Sequence, residues 1–261
     1  MVRWPMRIAI VSDVHSNLAG LRAVLRDAEA NGAIDAVWCL GDIVGYAAEP
    51  SETIAELRAR PLVSVAGNHD LAATGLMGVD EFNPVAAAAA LWTAEQLSET
   101  ERAFLADLPL TLVLGGPDVP TAADRPRGFT LVHGSLLEPV WEYLLDAEQA
   151  AAHFALQMTP YGLVGHSHLL FWVEERADGT PAFHRADDGT TIRLGDTRLI
   201  INPGSAGQPR DGDPRVSYVL YDEAAATMTW HRVAYDIAAT QTGIRAAGLP
   251  PFLADRLATG R

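Results

Sequence analysis

The segment RIAIVSDVH, residues 7–15, begins as an apolar run and ends abruptly in an acid and a histidine. A short run of this kind, rich in Ile and Val, is typical of a strand that is buried on both faces. The same pattern recurs in AVWCLGD (36–42), LVSVAGNHD (62–70), FTLVHG (129–134), YGLVGHSH (161–168) and RLIINPGS (198–205). The sequence therefore predicts buried strands that each end in polar residues.

Helical patterns lie between the first three of these runs. Asn17 is a candidate N-cap for a helix over 18–30, and further helices are predicted over 51–60 and 84–107. Strand–helix–strand alternation predicts a parallel or mixed sheet with right-handed crossovers. In such sheets ligands bind beyond the carboxyl ends of the strands, which is where the polar residues are expected.

The second half of the chain has the pattern of antiparallel strands. Hairpins are predicted around 177–179 and around 195–196, because short alternating runs flank turn residues there. The runs RVSYVLYD (215–222) and TMTWHRVAYD (227–236) continue as alternating strands. We expect these later strands to form a second sheet that packs against the first.

Composition is that of a globular protein: 261 residues, 49% apolar and 20% charged. We expect a single domain over 1–261, with a surface loop over 115–128 and a helical tail over about 237–261. The formal net charge of −14 would repel a nucleic-acid backbone, so nucleic acid is an improbable partner. No membrane-spanning helix is predicted.

The only cysteine, Cys39, excludes a disulfide within the chain, and no CxxC motif is present. A chain without disulfides suits a reducing compartment. The first residues also lack the apolar segment and cleavage site of a secretory signal. We therefore expect a cytoplasmic protein.

Five of the eight histidines lie at the ends of the apolar runs, and they are His15, His69, His133, His166 and His168. The remaining His153, His184 and His231 lie in ordinary helix or strand patterns and are predicted to be structural. Any one of the five could be a buried core histidine. Five at strand ends, accompanied by Asp13, Asp42 and Asn68, indicate a shared site.

The types of these side chains favour a metal centre without sulfur ligands. Imidazole and carboxylate suit Mn, Fe, Zn, Co or Ni, whereas Ca and Mg sites use oxygen ligands. The candidates exceed the roughly four ligands of one tetrahedral ion. Two ions about 3.5–4 Å apart would accommodate them if one carboxylate bridges. The candidate ligands are Asp13, His15, Asp42, Asn68, His133, His166 and His168.

Spacing suggests how the ligands divide between the two ions. Asp13 and His15 are two residues apart, so both side chains could face the same way from one extended segment. His166 and His168 have the same spacing. Spacing alone leaves other partitions open. The assignment we favour gives one ion Asp13, His15 and His168, gives the other Asn68, His133 and His166, and shares Asp42.

The motifs DVH, GDIVG, GNHD, VHG and GHSH, in this order, resemble those of the calcineurin-like metallophosphoesterases. The stretches GDIVGYAAEP, HGSLLEPVWEYL and NPGSAGQPRDGDPRVSYVLYD are similar to small prokaryotic members described as phosphodiesterases or diadenosine-tetraphosphatase-like proteins. The resemblance implies an α/β protein, a four-layer α/β/β/α sandwich of two packed mixed sheets with a dinuclear metal site between them. It also implies the ligand partition above, with Asp42 bridging and His69 acting on substrate.

The expected reaction is hydrolysis of a small phosphoester at two metal ions. We expect a phosphodiesterase in which His69 stabilises charge or protonates the leaving group while Asp70 orients its ring. A phosphomonoesterase or protein phosphatase, a nuclease and a non-catalytic scaffold of the same fold are the alternatives. The sequence does not identify the metals among Mn, Fe, Zn, Ni and Co, the physiological substrate or the oligomeric state.

One departure from the resemblance concerns the second motif. The phosphoprotein phosphatases and the related diadenosine tetraphosphatases continue it with an Asp-Arg pair, where this chain has Gly45 and Tyr46. This difference argues against phosphoprotein phosphatase activity. Tyr46 is a predicted substrate contact, and Arg210 and Arg215 are predicted anion contacts that could replace the missing arginine. The alternative is that both arginines lie on the surface.

Overall fold

The computed structural model describes residues 6–115 and 128–261. The strands are β1 (Arg7–Val11), β2 (Ala36–Cys39), β3 (Leu62–Ser64), β4 (Thr111–Leu114), β5 (Phe129–Val132), β6 (Tyr161–Leu163), β7 (Leu170–Glu175), β8 (Pro181–Arg185), β9 (Thr191–Arg193), β10 (Leu199–Pro203), β11 (Val216–Asp222) and β12 (Thr227–Val233). The helices are α1 (Leu18–Ala30), α2 (Pro50–Arg58), α3 (Asn68–Thr74), α4 (Pro84–Gln96), α5 (Glu99–Ala106), α6 (Ala147–Leu156), α7 (Ile237–Ala246) and α8 (Pro251–Asp255), followed by a 3-10 turn (Arg256–Ala258).

The strands form two mixed six-stranded sheets. The order in the first sheet is β3-β2-β1-β11-β12-β9, and in the second it is β4-β5-β6-β10-β7-β8. In the first sheet β1, β2 and β3 are parallel, and in the second β5, β6 and β10 are parallel. The carboxyl ends of each parallel set meet at one edge of a sheet, and the polar motifs follow there.

Four layers result from the way apolar side chains are buried. One core cluster joins the facing sides of the two sheets, and it includes Ile10 of β1, Leu163 of β6 and Trp230 of β12. A second cluster packs α1, α2 and α5 against the outer face of the first sheet. A third packs α6 against the outer face of the second sheet. The predicted α/β/β/α sandwich is confirmed.

Local sequence determines where the helices begin. The Asn17 side chain accepts a hydrogen bond from the backbone N–H of Gly20 at 3.0 Å, which confirms the predicted N-cap of α1. The predicted helical region over 84–107 is two helices, because Ser98 caps α5 and forms a capping box with Glu101. The last part of the chain contains α7 and α8, which are separated at Pro250.

The hairpin over 177–179 is confirmed, whereas the one predicted around 195–196 is wrong. β7 and β8 pair antiparallel in the second sheet. β9 instead pairs with β12 at the edge of the first sheet, while β10 lies between β6 and β7 in the second. Burial explains the separation, since every residue of β10 is buried and Thr191 and Arg193 of β9 are exposed.

The composition of the second sheet also differs from the prediction. β11 and β12 do not belong to it, because β11 pairs antiparallel with β1 and β12 pairs with β11. Most of β11 is buried, so a central position beside β1 suits it. The predicted loop over 115–128 lies almost entirely outside the described residues. No helix within the described ranges is long and apolar enough to cross a membrane.

Candidate metal centre

Loops that follow β1, β2, β3, β5 and β6 bring the candidate ligands together at one edge of the two sheets. All seven are buried: Asp13, His15, Asp42, Asn68, His133, His166 and His168. Their donor atoms form close groups in which every atom lies within 4.8 Å of the others, and one group is Asp13, His15 and His168 while another is Asp42, His133 and His166. The second group contains Asp42 in place of the expected Asn68, and a third group consists of His15, Asp42 and His69.

The first group is arranged around two imidazole nitrogens that face each other. Nε2 of His15 lies 3.2 Å from Nε2 of His168. The Asp13 Oδ1 lies 3.1 Å from the same His168 nitrogen and, among the described residues, accepts no hydrogen bond. Three atoms that could bind a cation therefore lie close together and have few other polar partners.

The second group repeats this arrangement. Nε2 of His133 lies 3.1 Å from Nδ1 of His166. The Oδ2 atom of Asp42 is 3.4 Å from the His133 nitrogen and 3.6 Å from Nε2 of His15. One carboxylate oxygen of Asp42 thus lies beside a histidine of each group. The amide oxygen of Asn68 is buried and has no hydrogen-bond partner in the described ranges.

Backbone carbonyl groups fix the tautomers of these four rings. The carbonyl oxygen of Val44 lies 3.2 Å from His15 Nδ1, and that of Leu40 lies 2.8 Å from His133 Nδ1. A carbonyl oxygen can only accept a hydrogen bond, so the ring nitrogen beside it must carry the hydrogen. In each neutral ring the other nitrogen, which faces the centre, therefore keeps its lone pair. The remaining contacts of this kind are His166 Nε2 with Trp141 O at 3.2 Å and His168 Nδ1 with Gln208 O at 2.5 Å.

The backbone at the centre is in an uncommon conformation. Of the eight non-glycine residues with positive φ in the described chain, seven belong to the site loops: Asp13, His15, Ser16, Asp42, Tyr46, His166 and His168. The expectation that Asp13 and His15 project from an extended segment is therefore wrong, since their φ angles are 53° and 51°. Left-handed residues cost of order 1–3 kcal/mol each and cluster at functional sites.

The same cluster shifts the pKa of its members. Burial raises the pKa of Asp42 and of Asp13, but the neighbouring histidines outweigh it and hold both carboxyls well below their usual range. Burial lowers the pKa of His133, yet the Asp42 carboxylate reverses this and raises it to about 9. Burial lowers the pKa of His166 to about 3. The two acids are thus ionised, and the rings of His15, His166 and His168 favour the neutral form that metal ligands take, whereas the His133 ring favours its protonated form.

His69 lies beside the centre and on the wall of a cavity. Its backbone N–H donates to Oδ1 of Asp42 at 2.9 Å, and its ring centroid is 4.3 Å from that of Tyr46. Nδ1 of His69 is buried without a partner among the described residues. A Cβ on Gly45 would lie 2.6 Å from this nitrogen, so position 45 must be glycine for the ring to fit. Burial lowers the pKa of His69 to about 4.

No hydrogen bond joins Asp70 to the His69 ring within the described residues. Its carboxylate accepts hydrogen bonds from the backbone N–H of Gly67 at 3.0 Å and of Val44 at 3.1 Å. The first of these bonds caps α3, whose first residues are Asn68 and His69. Asp70 therefore supports the turn that carries these two side chains. Burial, with the Asp42 charge, raises the pKa of Asp70 to about 7.

The cavity beside the centre has a volume of about 170 Å³. Besides ligands and His69, its walls are Tyr46, Glu81, Phe82, Asn83, Ala86, Trp141, Tyr143 and Arg210. Arg210 donates to Tyr46 Oη at 3.4 Å and to Gln208 Oε1 at 3.1 Å. Arg215 does not line this cavity, because Asp213 and Asp188 bind its guanidinium group.

The sequence indicates the segments that surround this site, residues 75–83, the loop near Trp141 and residues 208–215, but not the contacts that their side chains make. The Tyr143 ring stacks on His166 with centroids 4.0 Å apart, and Phe82 meets the His69 ring edge-on at 5.0 Å. The contacts made by the carbonyl groups of Val44, Leu40 and Gln208 cannot be predicted from side-chain identity, because they are backbone contacts.

The fold and the donor set together define an α/β/β/α protein with a site suited to metal. The family model of the calcineurin-like phosphoesterase superfamily domain matches residues 6–225. The chain therefore belongs to the calcineurin-like phosphoesterase superfamily. Membership and the buried His and Asp groups together indicate a divalent metal site at this edge of the sheets.

Relatives match nearly the whole chain. An uncharacterized protein of Methanocaldococcus jannaschii is 36% identical over 260 residues, covering 97% of this chain and 98% of the relative. A metallophosphoesterase from Sphaerobacter thermophilus of known structure is 43% identical, with 99% of this chain and 100% of that chain covered and a TM-score of 0.85. A hypothetical protein from Pyrococcus horikoshii OT3 shares the fold at 20% identity, with 98% of each chain covered and a TM-score of 0.75.

Proposed function

We propose that the protein is a dinuclear metal-dependent phosphoester hydrolase that acts on small phosphodiesters. The observation that carries this proposal is the position of Asp42 Oδ2, 3.6 Å from His15 Nε2 and 3.4 Å from His133 Nε2. One carboxylate that faces both ligand groups is what a pair of ions about 3.5–4 Å apart requires.

The ligands divide between the ions as the two groups do. In this proposal Asp13, His15 and His168 hold one ion. His133 and His166 hold the other together with the amide oxygen of Asn68. The donor set suits Mn, Fe, Zn, Co or Ni. When bound, the ions supply Lewis acidity toward phosphate oxygens and lower the pKa of water.

In hydrolysis, a water oxygen forms a bond to phosphorus while the bond from phosphorus to the leaving oxygen breaks. Arg210 and Tyr46 are suited to hold the phosphate group, because both line the cavity beside the ligands. His69 is assigned to donate a hydrogen bond to the phosphate or the leaving oxygen. Asp70 is a positioning residue, since it caps the helix turn from which Asn68 and His69 project.

The surroundings of the cavity favour diesters over monoesters. A groove lined by Asp80, Glu81, Glu138 and Glu142 shares Glu81 and Trp141 with the cavity. This groove offers space for the second ester substituent of a diester. Its negative charge disfavours a dianionic monoester more than a monoanionic diester, because repulsion grows with ligand charge. The small cavity also argues against a phosphoprotein substrate.

The proposal is tested by metal analysis followed by a substrate panel. The purified protein is stripped with a chelator, reloaded with Mn, Fe, Zn, Co or Ni, and assayed on bis(4-nitrophenyl) phosphate and 4-nitrophenyl phosphate. We expect two ions per chain and a higher kcat/KM for the diester. Absence of hydrolysis with every metal would favour a non-catalytic scaffold, and a preference for the monoester would make the protein a phosphomonoesterase.

Two further substrates separate the remaining alternatives. Single-stranded DNA at physiological salt tests for a nuclease, which the net charge of −14 disfavours. A phosphoserine peptide tests for a protein phosphatase. We expect neither to be hydrolysed at a rate comparable with that of the small diester.

A matched pair of arginine variants tests the phosphate contact. We expect Arg210→Gln to raise KM for the diester about tenfold, because a charge-assisted hydrogen bond contributes roughly 1.5–3 kcal/mol. Arg215→Gln is the control, since Asp213 and Asp188 already bind that guanidinium group. Equal effects of the two substitutions would remove Arg210 from the substrate site.

A further inference from the structure

A further cavity, with a volume of about 410 Å³, lies at the paired strands β7 and β8. Its volume falls in the range of about 300–1,000 Å³ that is typical of small-molecule sites. Among the described residues it shares no lining residue with the cavity beside the metal centre, so a ligand bound here is distinct from a substrate held at the metals. Its apolar walls are Leu144, Leu145, Leu169, Leu170, Phe171 and Phe183.

These apolar walls form a buried floor and an exposed rim. Leu144, Leu170 and Phe171 are buried, whereas Leu145 is 52% exposed and Phe183 is 37% exposed. The rings of Phe171 and Phe183 lie with their centroids 5.7 Å apart. Large apolar side chains that remain exposed around a concave apolar surface are typical of a binding site. An apolar group that enters the cavity would cover them.

The polar residues of this cavity are His184, Arg185 and Asp211, and two of them already have charged partners. The carboxylate of Asp211 accepts hydrogen bonds from both Nη groups of the buried Arg232. Nε2 of His184 lies 3.6 Å from a carboxylate oxygen of Glu174. Both groups are therefore engaged within the protein.

Arg185 differs from these two residues. It lies opposite Phe171 in the β7–β8 pair and two residues from Phe183, so the three side chains stand on one face of the sheet. Its guanidinium group forms no hydrogen bond or salt bridge with the residues that the structure describes. It interacts electrostatically with Asp187, but that carboxylate is 70% exposed and lies 3.1 Å from Arg232 Nε. A cation with free hydrogen-bond donors thus stands next to apolar walls.

We propose that this cavity binds a medium-chain aliphatic carboxylate, with the chain against the apolar walls and the carboxylate on Arg185. An aliphatic chain would remove the apolar walls from water, which is favourable in proportion to the area covered. A carboxylate matches the paired donors of a guanidinium group. The inference goes beyond the proposed function, because this ligand neither contacts the metal ligands nor is hydrolysed.

The test is calorimetric titration of the metal-loaded protein with octanoate, butanoate and octylammonium. We expect one octanoate per chain, bound at least tenfold more tightly than butanoate, because its longer chain covers more apolar surface. Octanoate should also bind at least tenfold more tightly than octylammonium. Non-specific association would favour octylammonium instead, since the chain carries a net charge of −14.

Two pairs of variants test the cation and the apolar wall separately. Arg185→Gln should weaken octanoate binding about tenfold, as loss of one charge-assisted contact would give. Arg176→Gln, which follows β7 but does not line the cavity, is its control. Phe183→Glu should weaken binding at least tenfold, because it removes an apolar wall and adds a like charge. Phe252→Glu, at an exposed phenylalanine of α8, is the matched control.

Three other results would overturn this inference. The first is absence of octanoate binding, or binding that survives both Arg185→Gln and Phe183→Glu. The second is binding that disappears when a chelator removes the metals, which would place the carboxylate on the metal centre. The third is a dimer, detected by sedimentation, that binds no octanoate and dissociates in the Phe183→Glu protein, because a second copy of the chain would then cover this face. All three leave the proposed function intact, since none of them measures hydrolysis.

Discussion

Two clusters of acidic and basic groups, the metal centre and the surroundings of the buried Arg232 side chain, differ in how completely their polar atoms are satisfied. The Arg232 side chain is 1% exposed, and its Nε lies 3.1 Å from Asp187 Oδ1. Both Nη groups donate to the carboxylate of Asp211, so this ion pair is bidentate. At the metal centre, ring nitrogens of His15 and His168 instead face each other at 3.2 Å.

The difference separates a structural cluster from a reactive one. A planar guanidinium group that matches its carboxylates holds loops together and needs no ligand. Facing imidazole nitrogens, and an Asn68 oxygen that has no partner among the residues described, would be satisfied by a cation. The left-handed residues are also concentrated at the metal centre, with Asp13, Asp42 and His166 among them.

The largest effect is expected from Asp42→Asn. Loss of the shared carboxylate should remove at least one ion per chain and lower diester turnover by about 10³-fold, because several kcal/mol of metal catalysis depend on it. Elemental analysis and diester assays measure both quantities. Asp187→Asn, in the other cluster, is the control and should retain metal and activity. Full metal content in the Asp42→Asn protein would disprove the bridging role.

His69→Ala tests whether the ring acts on substrate. We expect metal content to be unchanged and turnover to fall by about 10²-fold, the lower range for loss of a positioned proton donor. His184→Ala is the control, since that ring stacks on Trp172 in an outer strand. The His69 side chain could also join a metal group with His15 and Asp42. Loss of metal from the His69→Ala protein would therefore show that it is a ligand.

Arg232→Met tests whether the cluster around Arg232 stabilises the fold. Removing the buried cation leaves Asp211 unpaired, so we expect the free energy of unfolding to fall by about 3 kcal/mol while metal content stays constant. Urea denaturation measures this change. Arg245→Met breaks the exposed pair with Asp255 and should cost under about 1 kcal/mol. Similar losses for both variants would mean that the Arg232 cluster adds no special stability.

The smallest effect concerns Asp213 and pH. Hydrogen bonds from Arg215 lower the pKa of the Asp213 carboxyl in the folded protein. A lowered folded-state pKa stabilises the protein fully above the unfolded value of about 3.9, and this contribution is lost as pH falls through the folded value. Urea denaturation from about pH 2 to pH 6 should show this pH-dependent contribution to the free energy of unfolding in the natural protein and not in Asp213→Asn. A stability difference between the two that is constant over this range would contradict the prediction.

Much of the fold could be predicted because local signals agree with it. The buried runs ending at Asp13 and Asp42 are strands, Asn17 caps α1, and the 177–179 turn joins two paired strands. Sheet membership could not be predicted in the second half. The turn around 195–196 has the local pattern of a hairpin, yet tertiary burial places β9 and β10 in different sheets.

The sequence by itself determined the residue types and the order of the candidate ligands, because Asp, His and Asn at strand ends are visible as patterns. Tertiary structure alone decided three features of the site. Backbone carbonyl groups select the tautomers, left-handed loops aim the side chains, and a contact with Asp188, distant along the chain, helps to pair Arg215 while Arg210 meets no carboxylate among the described residues. These features depend on which groups meet in space, so no local pattern encodes them.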